Sequence, residues 1–179
     1  MISRSGYQNM NFKNWLNESE TKWTENTSLK DVISEATTAT RYSVEVNYRS
    51  DIKETTEAFA KIALGYVSAA MKQDGYHIKH VYEEKPLRIL VSSRNWDDGE
   101  WVGTVSFNPD HDGGSFIIAK GFYNKMRKTV EIQSKQKCEG DSAASIVKMM
   151  RNIMNDLKGK PDQRKEKLKG VPMKRGPKK

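Results

Sequence analysis

The apolar residues change their spacing at Gly75, and this change constrains the fold more than any other feature of the sequence. Over residues 50–73 they recur every three to four positions, which is typical of a helix with one buried face. After Gly75 they alternate with polar residues, as in strands that bury one face of a sheet. The chain is therefore expected to form a long helix, capped by Ser50 or Asp51 and ended by Gly75, and then a sheet. The helical stripe consists of Ile52, Thr56, Phe59, Ile62, Ala63, Tyr66, Val67, Ala70 and Met71.

Five segments carry the alternating pattern and are predicted to be strands. The links between them are short and contain turn-forming pairs such as Asp98-Gly99 and Gly113-Gly114. Because short links favour antiparallel neighbours, we expect an antiparallel meander. The predicted strands cover residues 77–84, 87–93, 100–107, 115–123 and 128–134.

A second helical pattern follows the strands over residues 141–158. One apolar stripe runs along it, Asp141 or Ser142 can cap its start, and Gly159 can end it. The sequence thus predicts an α+β fold of two layers, an antiparallel sheet of about five strands flanked by an N-terminal and a C-terminal helix. This folded domain is expected to span residues 41–157.

Residues 1–40 are expected to form a polar leader outside the domain. Hydrophobic residues make up 36% of the chain and charged residues 30%, so part of the chain should lie outside a packed core. The segments 12–16 and 28–33 could each form a turn or two of helix, but both are too short to be stable alone. The chain has no apolar run of membrane-spanning length and no signal-like apolar region near Met1, so no membrane contact is expected.

The net charge of +8 is concentrated at the C-terminal end. Residues 158–179 contain ten basic residues and two acids, Asp162 and Glu166, which places 10 − 2 = +8 there and leaves residues 1–157 neutral. Proline and glycine interrupt the lysines and no apolar period remains, so we expect a disordered basic tail. The basic residues are Lys158, Lys160, Arg164, Lys165, Lys167, Lys169, Lys174, Arg175, Lys178 and Lys179.

These ten basic residues predict contact with nucleic acid, and DNA is the expected form. Each lysine or arginine that neutralises a phosphate releases condensed counterions, so a flexible cationic segment can bind a duplex without fixed geometry. The segment Arg175-Gly176-Pro177 resembles the core of the AT-hook, which enters A·T-rich minor grooves. Pro177 and Lys178 stand where the hook has its second arginine, so no sequence preference is predicted. Contact with an acidic protein and a role in solubility alone are the alternatives.

No motif predicts a catalytic site, a cofactor or a metal ion. Cys138 is the only cysteine, which excludes an internal disulfide, and no neighbouring base marks it as a nucleophile. Asp97, Asp98 and Glu100 could hold Mg²⁺ for nuclease chemistry, but the lysine that such sites add is missing. The interpretation we prefer for these three acids is a solvated hairpin tip.

Three further features have both an ordinary and a functional interpretation. Residues 108–114 resemble the start of an EF-hand loop, but Ala119 stands where its glutamate should be, so a polar turn is expected. His77 and His80 should point to opposite faces of a strand, which disfavours a shared metal. Aromatic residues beside cations on the sheet could stack single-stranded bases, although core packing explains most of them. The aromatic residues are Tyr76, Tyr82, Trp101, Phe107, Phe116, Phe122 and Tyr123, and the cations are Lys79, Arg88, Arg94, Lys120 and Arg127.

A short amphipathic segment runs from Met10 to Glu18 and ends in Leu16-Asn17-Glu18, followed by Ser19. A second site of the form Leu/Ile-x-Glu before a small residue stands at Ile33-Ser34-Glu35, followed by Ala36. The segment resembles the capsid-targeting peptide of internal head proteins in T-even-like phages, in which the prohead protease cuts after the glutamate. The resemblance covers about nine residues and one further site, and the nine residues before Met10 are a departure from that family.

This resemblance implies a protein that is packaged with phage DNA in the virion interior, trimmed after Glu18 or Glu35, and injected into the host cytoplasm. The prohead protease and a host protein would then be partners in addition to DNA. The resulting expectation is a non-enzymatic DNA-associated phage protein. Two alternatives stay open: a single-stranded nucleic-acid-binding module, and an inhibitor that binds a host enzyme through the folded domain.

Overall fold

The computed structural model describes residues 11–43, 46–81, 87–110 and 113–162 of the 179-residue chain. Within these ranges three helices precede a sheet and one helix follows it. No helix in this part of the chain has the length and apolarity needed to cross a membrane. The helices are α1 (Phe12–Glu20), α2 (Leu29–Tyr42), α3 (Tyr48–Gln73) and α4 (Ala143–Leu157). The strands are β1 (His77–Val81), β2 (Leu87–Ser92), β3 (Trp101–Asn108), β4 (Ser115–Asn124) and β5 (Thr129–Lys137).

The five strands form one antiparallel sheet in which each strand pairs with the next along the chain. The predicted α+β class and the antiparallel meander are therefore confirmed. A bulge between Lys120 and Gly121 shifts the register between β4 and β5. At this point the backbone of Glu131 lies so close to Gly121 that any side chain there would collide with the Glu131 carbonyl oxygen.

Helices α3 and α4 cover one side of the sheet, which we call the inner face. Phe59 of α3 meets Phe116 of β4 with ring centroids 6.4 Å apart. Helix α4 approaches β3 closely because Gly103 has no side chain, and a Cβ there would lie 2.9 Å from the Met150 Cε atom. The inner face is therefore the centre of the hydrophobic core. Its fully buried strand residues include Ile89, Val91, Val105 and Ile118.

Helices α1 and α2 belong to the same core, which differs from the expected polar leader. Trp15 and Leu16 of α1 are each 2% exposed, and Ala36 of α2 is fully buried. Helix α2 runs along α3, and α1 contacts both. Each helix is too short to be stable alone, so it is packing against α3 that stabilises them. The folded domain thus includes α1 and α2 rather than beginning at Arg41.

The predicted ends of the helices are confirmed for α4 and for the C-terminal end of α3, but not for the start of α3. Ser142 caps α4 as predicted and forms a capping box with Ser145, and Gly75 has the left-handed φ of 96° that ends α3. Helix α3, however, begins one turn earlier than predicted, with Asn47 at its N-cap. The Asp51 carboxylate accepts a hydrogen bond from the Thr40 hydroxyl at 3.0 Å and ties α3 to α2.

Candidate nucleic-acid interface

The first five residues after α4 lie against the folded body. Asp162 is 6% exposed, and its carboxylate accepts a hydrogen bond from the Arg94 guanidinium. The Lys160 ammonium lies 4.7 Å from the ring centroid of Trp101. These contacts hold residues 158–162, which we call the tail root, against the folded body.

The other eight predicted nucleic-acid-binding residues lie outside the described part of the chain. Glu166 is the only acid among residues 163–179, so this segment carries 8 − 1 = +7. Of the expected tail, residues 158–162 lie against the folded body, and the boundary of the tail beyond them stays a prediction. The eight residues are Arg164, Lys165, Lys167, Lys169, Lys174, Arg175, Lys178 and Lys179.

A buried carboxylate holds the β2–β3 loop that carries Arg94. Glu100 is 1% exposed, and its Oε1 atom accepts the Asp97 N–H at 2.9 Å. Its Oε2 atom accepts the Ser92 hydroxyl and, at 3.3 Å, the Arg94 N–H. A carboxylate has enough lone pairs for these donors. The interpretation of Glu100 as part of a solvated tip is therefore wrong, and its oxygens are occupied by the loop rather than free for Mg²⁺.

The same loop places Trp96 beside a fixed cation. The Lys79 ammonium donates to the Tyr123 hydroxyl at 2.9 Å. It also lies 4.8 Å from the ring centroid of Trp96 and 5.0 Å from that of Tyr123. A cation over aromatic faces is attracted by their quadrupoles. Lys79 is thus a positioned positive charge on the side of the sheet opposite the inner face, which we call the outer face.

The strand register extends this positive charge across the outer face. Paired residues of an antiparallel sheet share a face. One row runs from Lys79 through Leu90, Thr104 and Ala119 to Lys135. The next row places Arg88 and Lys137 on the same face. Among the described strand positions of the outer face there is no aspartate or glutamate.

The β4–β5 turn, residues 125–128, lies at the same end of the sheet as the tail root. It contains Lys125, Met126, Arg127 and Lys128, all exposed. The Asp98 carboxylate accepts the Lys125 N–H at 3.0 Å, so the turn is joined to the β2–β3 loop. That loop also carries the arginine that holds the tail root. The turn and the tail root are therefore both attached to the β2–β3 loop.

Burial argues against the predicted base-stacking platform. Four of its seven aromatic residues are at most 6% exposed and contribute to packing. Trp101 and Tyr76 are half-buried and lie beneath lysines of the tail root. Tyr82 lies outside the described residues. The four buried residues are Phe107, Phe116, Phe122 and Tyr123.

The two histidines that the structure describes, His77 and His80, do not come together, and His111 lies outside the described residues. His77 shares the outer face with Ser92, whereas His80 pairs with Ile89 of the inner face, which confirms that the two point apart. The His80 Nε2 atom lies 2.7 Å from the Ser68 hydroxyl. Partial desolvation of the ring, with a smaller effect of the Lys72 charge, lowers the pKa of His80, which is otherwise exposed. No group of three or more His, Cys, Asp or Glu residues suited to a metal ion occurs within the ranges that the structure covers.

The two predicted processing sites lie inside helices. The bond between Glu18 and Ser19 is in α1, and the bond between Glu35 and Ala36 is in α2. Ser19 is 8% exposed and Ala36 is fully buried. Proteases prefer exposed loops, so cutting at either bond would require the helix to open or the chain to be unfolded. Processing stays a prediction.

Sequence reasoning did not assign a role in attaching the tail to Arg94 or Trp101, and it did not single out the β4–β5 turn. The roles of Arg94 and Trp101 could not be found, because their partners in the tail root lie about 60 to 70 residues further along the chain. The turn gave a signal, since three cations and a methionine occupy positions where glycine or asparagine is usual. Comparison with known protein families, characterised proteins and solved structures gave no match.

Proposed function

We propose that this protein is a non-enzymatic DNA-associated protein that binds the duplex backbone through its basic tail. The observation that carries the proposal is the separation of charge. Beyond Asp162 the tail has eight cations and one acid, whereas residues 1–157 are neutral overall. Such a segment gains binding free energy from each counterion it displaces from DNA.

The folded body presents positive charge to DNA as well. The tail root is held by Arg94 and Trp101 at one end of the sheet. The outer face carries Lys79, Lys135 and Lys137 without an acid at its described strand positions. Contacts to phosphates carry no base information, so binding through the tail is expected to be independent of sequence.

The phage setting rests on the N-terminal resemblance alone. In that setting the protein would be packaged with DNA in the head and delivered with it to the host. Cutting after Glu35 would remove Trp15, Leu16 and Val32 from the core, so a trimmed chain would be much less stable than the intact one. The intact mass of the protein isolated from virions would decide between a chain that begins at Ser19 or Ala36 and an uncut one.

Fluorescence anisotropy of a short labelled duplex tests the proposal with three chains. The first is the full-length chain, and the second ends at Asp162, which keeps the contact with Arg94 and hence the folded body. The third is full length with the eight cations beyond Asp162 replaced by glutamine. We expect tight binding by the first chain only. Equal binding by the chain that ends at Asp162 would overturn the proposal.

A further inference from the structure

The β4–β5 turn presents an apolar tip between cations. Met126 is 92% exposed, compared with 43% for Ile132 on β5. Lys125, Arg127 and Lys128 are its neighbours in the turn. A methionine that stays in water contributes no buried area to the core, and turns usually contain glycine, asparagine or aspartate. The fold therefore does not account for Met126.

Side-chain acceptors fix the backbone of this turn. The Asp98 Oδ1 atom accepts the Lys125 N–H at 3.0 Å, and the Asn124 Oδ1 atom accepts the Arg127 N–H at 2.9 Å. Lys128 has a left-handed φ of 55°, which is uncommon for a residue with a side chain. The tip is thus held in one backbone conformation, so less entropy is lost when it meets a ligand.

The β2–β3 loop holds both the turn and the tail root. Asp98 belongs to the loop that carries Arg94, and Arg94 holds Asp162. The 17 residues beyond Asp162 could extend over about 55–60 Å, given the reach of an extended chain. A duplex bound by the tail can therefore lie against the turn.

We propose that the β4–β5 turn is a second DNA contact, in which Lys125, Arg127 and Lys128 meet phosphates beside the minor groove and Met126 enters a base step. This inference rests on the proposed function, because it takes duplex DNA as the partner. Minor-groove proteins insert apolar side chains, methionine among them, between base steps and hold the flanking backbone with cations. Methionine suits this use because it is unbranched and polarisable.

The chemistry of the turn favours DNA over other partners. Three cations within four residues match a polyanion rather than a neutral protein surface. A single apolar side chain suits the narrow opening of one base step. Pyrimidine–purine steps open most easily, so the turn is expected to act at TA and CA steps.

The test uses the full-length chain and a duplex with 2-aminopurine at a TA step. Wild-type protein should raise the 2-aminopurine fluorescence as the step opens. The Met126→Ala variant should lose most of this rise and bind about tenfold more weakly, as expected for one buried apolar side chain. Ile132→Ala, which shortens an exposed apolar side chain on the same hairpin, should match the wild type. Replacing Lys125, Arg127 and Lys128 with glutamine should reduce the slope of log K against log salt by about 3.

The outcomes separate this inference from the proposed function. If the turn variants match the wild type while the chain ending at Asp162 loses DNA binding, the turn inference is overturned and the proposed function stands. If no chain binds DNA, both are overturned. If Met126→Ala instead loses binding only to vesicles of phosphatidylserine and phosphatidylcholine, the turn is a membrane contact and the inference is overturned. Met126 is exposed, so thermal unfolding should show that its variant folds as the wild type does.

Discussion

Glu100 shows how a single residue organises the end of the sheet where the tail leaves. Its buried carboxylate accepts hydrogen bonds from Ser92, Arg94 and Asp97. Arg94 in turn contacts Asp162 at the tail root. A carboxylate is tolerated in such a place because donors of the protein replace the water it has lost. One residue of the β2–β3 loop therefore links the sheet to the attachment of the basic tail.

Replacing Glu100 with glutamine should lower the free energy of unfolding by about 1–3 kcal/mol. The amide group would place a donor where the carboxylate accepts, so one donor of the loop would lose its partner. Glu131→Gln on exposed β5 is the matched control and should change stability by less than about 0.5 kcal/mol. Chemical denaturation measures both variants. Equal stabilities would contradict a structural role for Glu100.

The stability of the fold should also depend on the protonation of His80. Partial desolvation lowers its pKa below the ordinary value of 6.5 although the residue is largely exposed, so the folded state favours the neutral ring by a small margin. The contribution of the neutral His80 ring to the stability of the fold is therefore fully present above about pH 6.5. It is lost as the pH falls through the lowered pKa of the folded state. The wild type should unfold at a lower temperature at about pH 5.5 than at about pH 7.5. In His80→Gln this difference between the two pH values should be smaller. His77→Gln on the outer face is the control, and an unchanged pH dependence in His80→Gln would refute the assignment.

At the scale of elements, the sequence predicts those parts of the fold whose signal is local. Helix α3 and the strands follow from apolar spacing within single segments, and the cap at Ser142 follows from residue type. Helices α1 and α2 could not be predicted as part of the domain, because distant contacts stabilise them. The Leu29 N–H donates to the Asp141 carbonyl at 3.2 Å, and the Ala144 N–H donates to the Glu25 carbonyl at 2.8 Å. Neither contact leaves a trace in the local pattern.

In the candidate interface too, the sequence predicts only the features that have a local signal. The charge of the tail is a property of composition and was visible in the sequence. The tail root was not, because Arg94 and Asp162 meet across 68 positions. The bulge at Gly121 brings the Glu131 backbone too close for a side chain, and no local pattern announced it.

Helix α1 provides the sharpest test of where the domain begins. Trp15→Ala should destabilise the protein by about 3–5 kcal/mol, because it removes a large buried side chain from the core. Asn17→Ala lies on the exposed side of the same helix and should have little effect. Guanidinium-induced unfolding compares the two variants. If both variants were as stable as the wild type, α1 would be a dispensable leader after all.

At the scale of the whole molecule, most of the net charge lies beyond the part of the chain that the structure describes. Residues 1–157 are neutral and include every helix and strand that the structure describes. Residues 163–179 carry +7 and follow a root held by Arg94 and Trp101. Changes in the tail should therefore alter binding without altering stability, whereas changes in the core should do the reverse.

The most direct test of this account is the salt dependence of DNA binding by the full-length chain and by the chain that ends at Asp162. If all eight cations beyond Asp162 meet phosphates, the slope of log K against log salt should be steeper by about 7 for the full-length chain. The two chains should have the same thermal stability, because the Arg94 contact is kept in both. Equal slopes and equal affinities for the two chains would mean that the tail contributes nothing to binding DNA, which would overturn its proposed role.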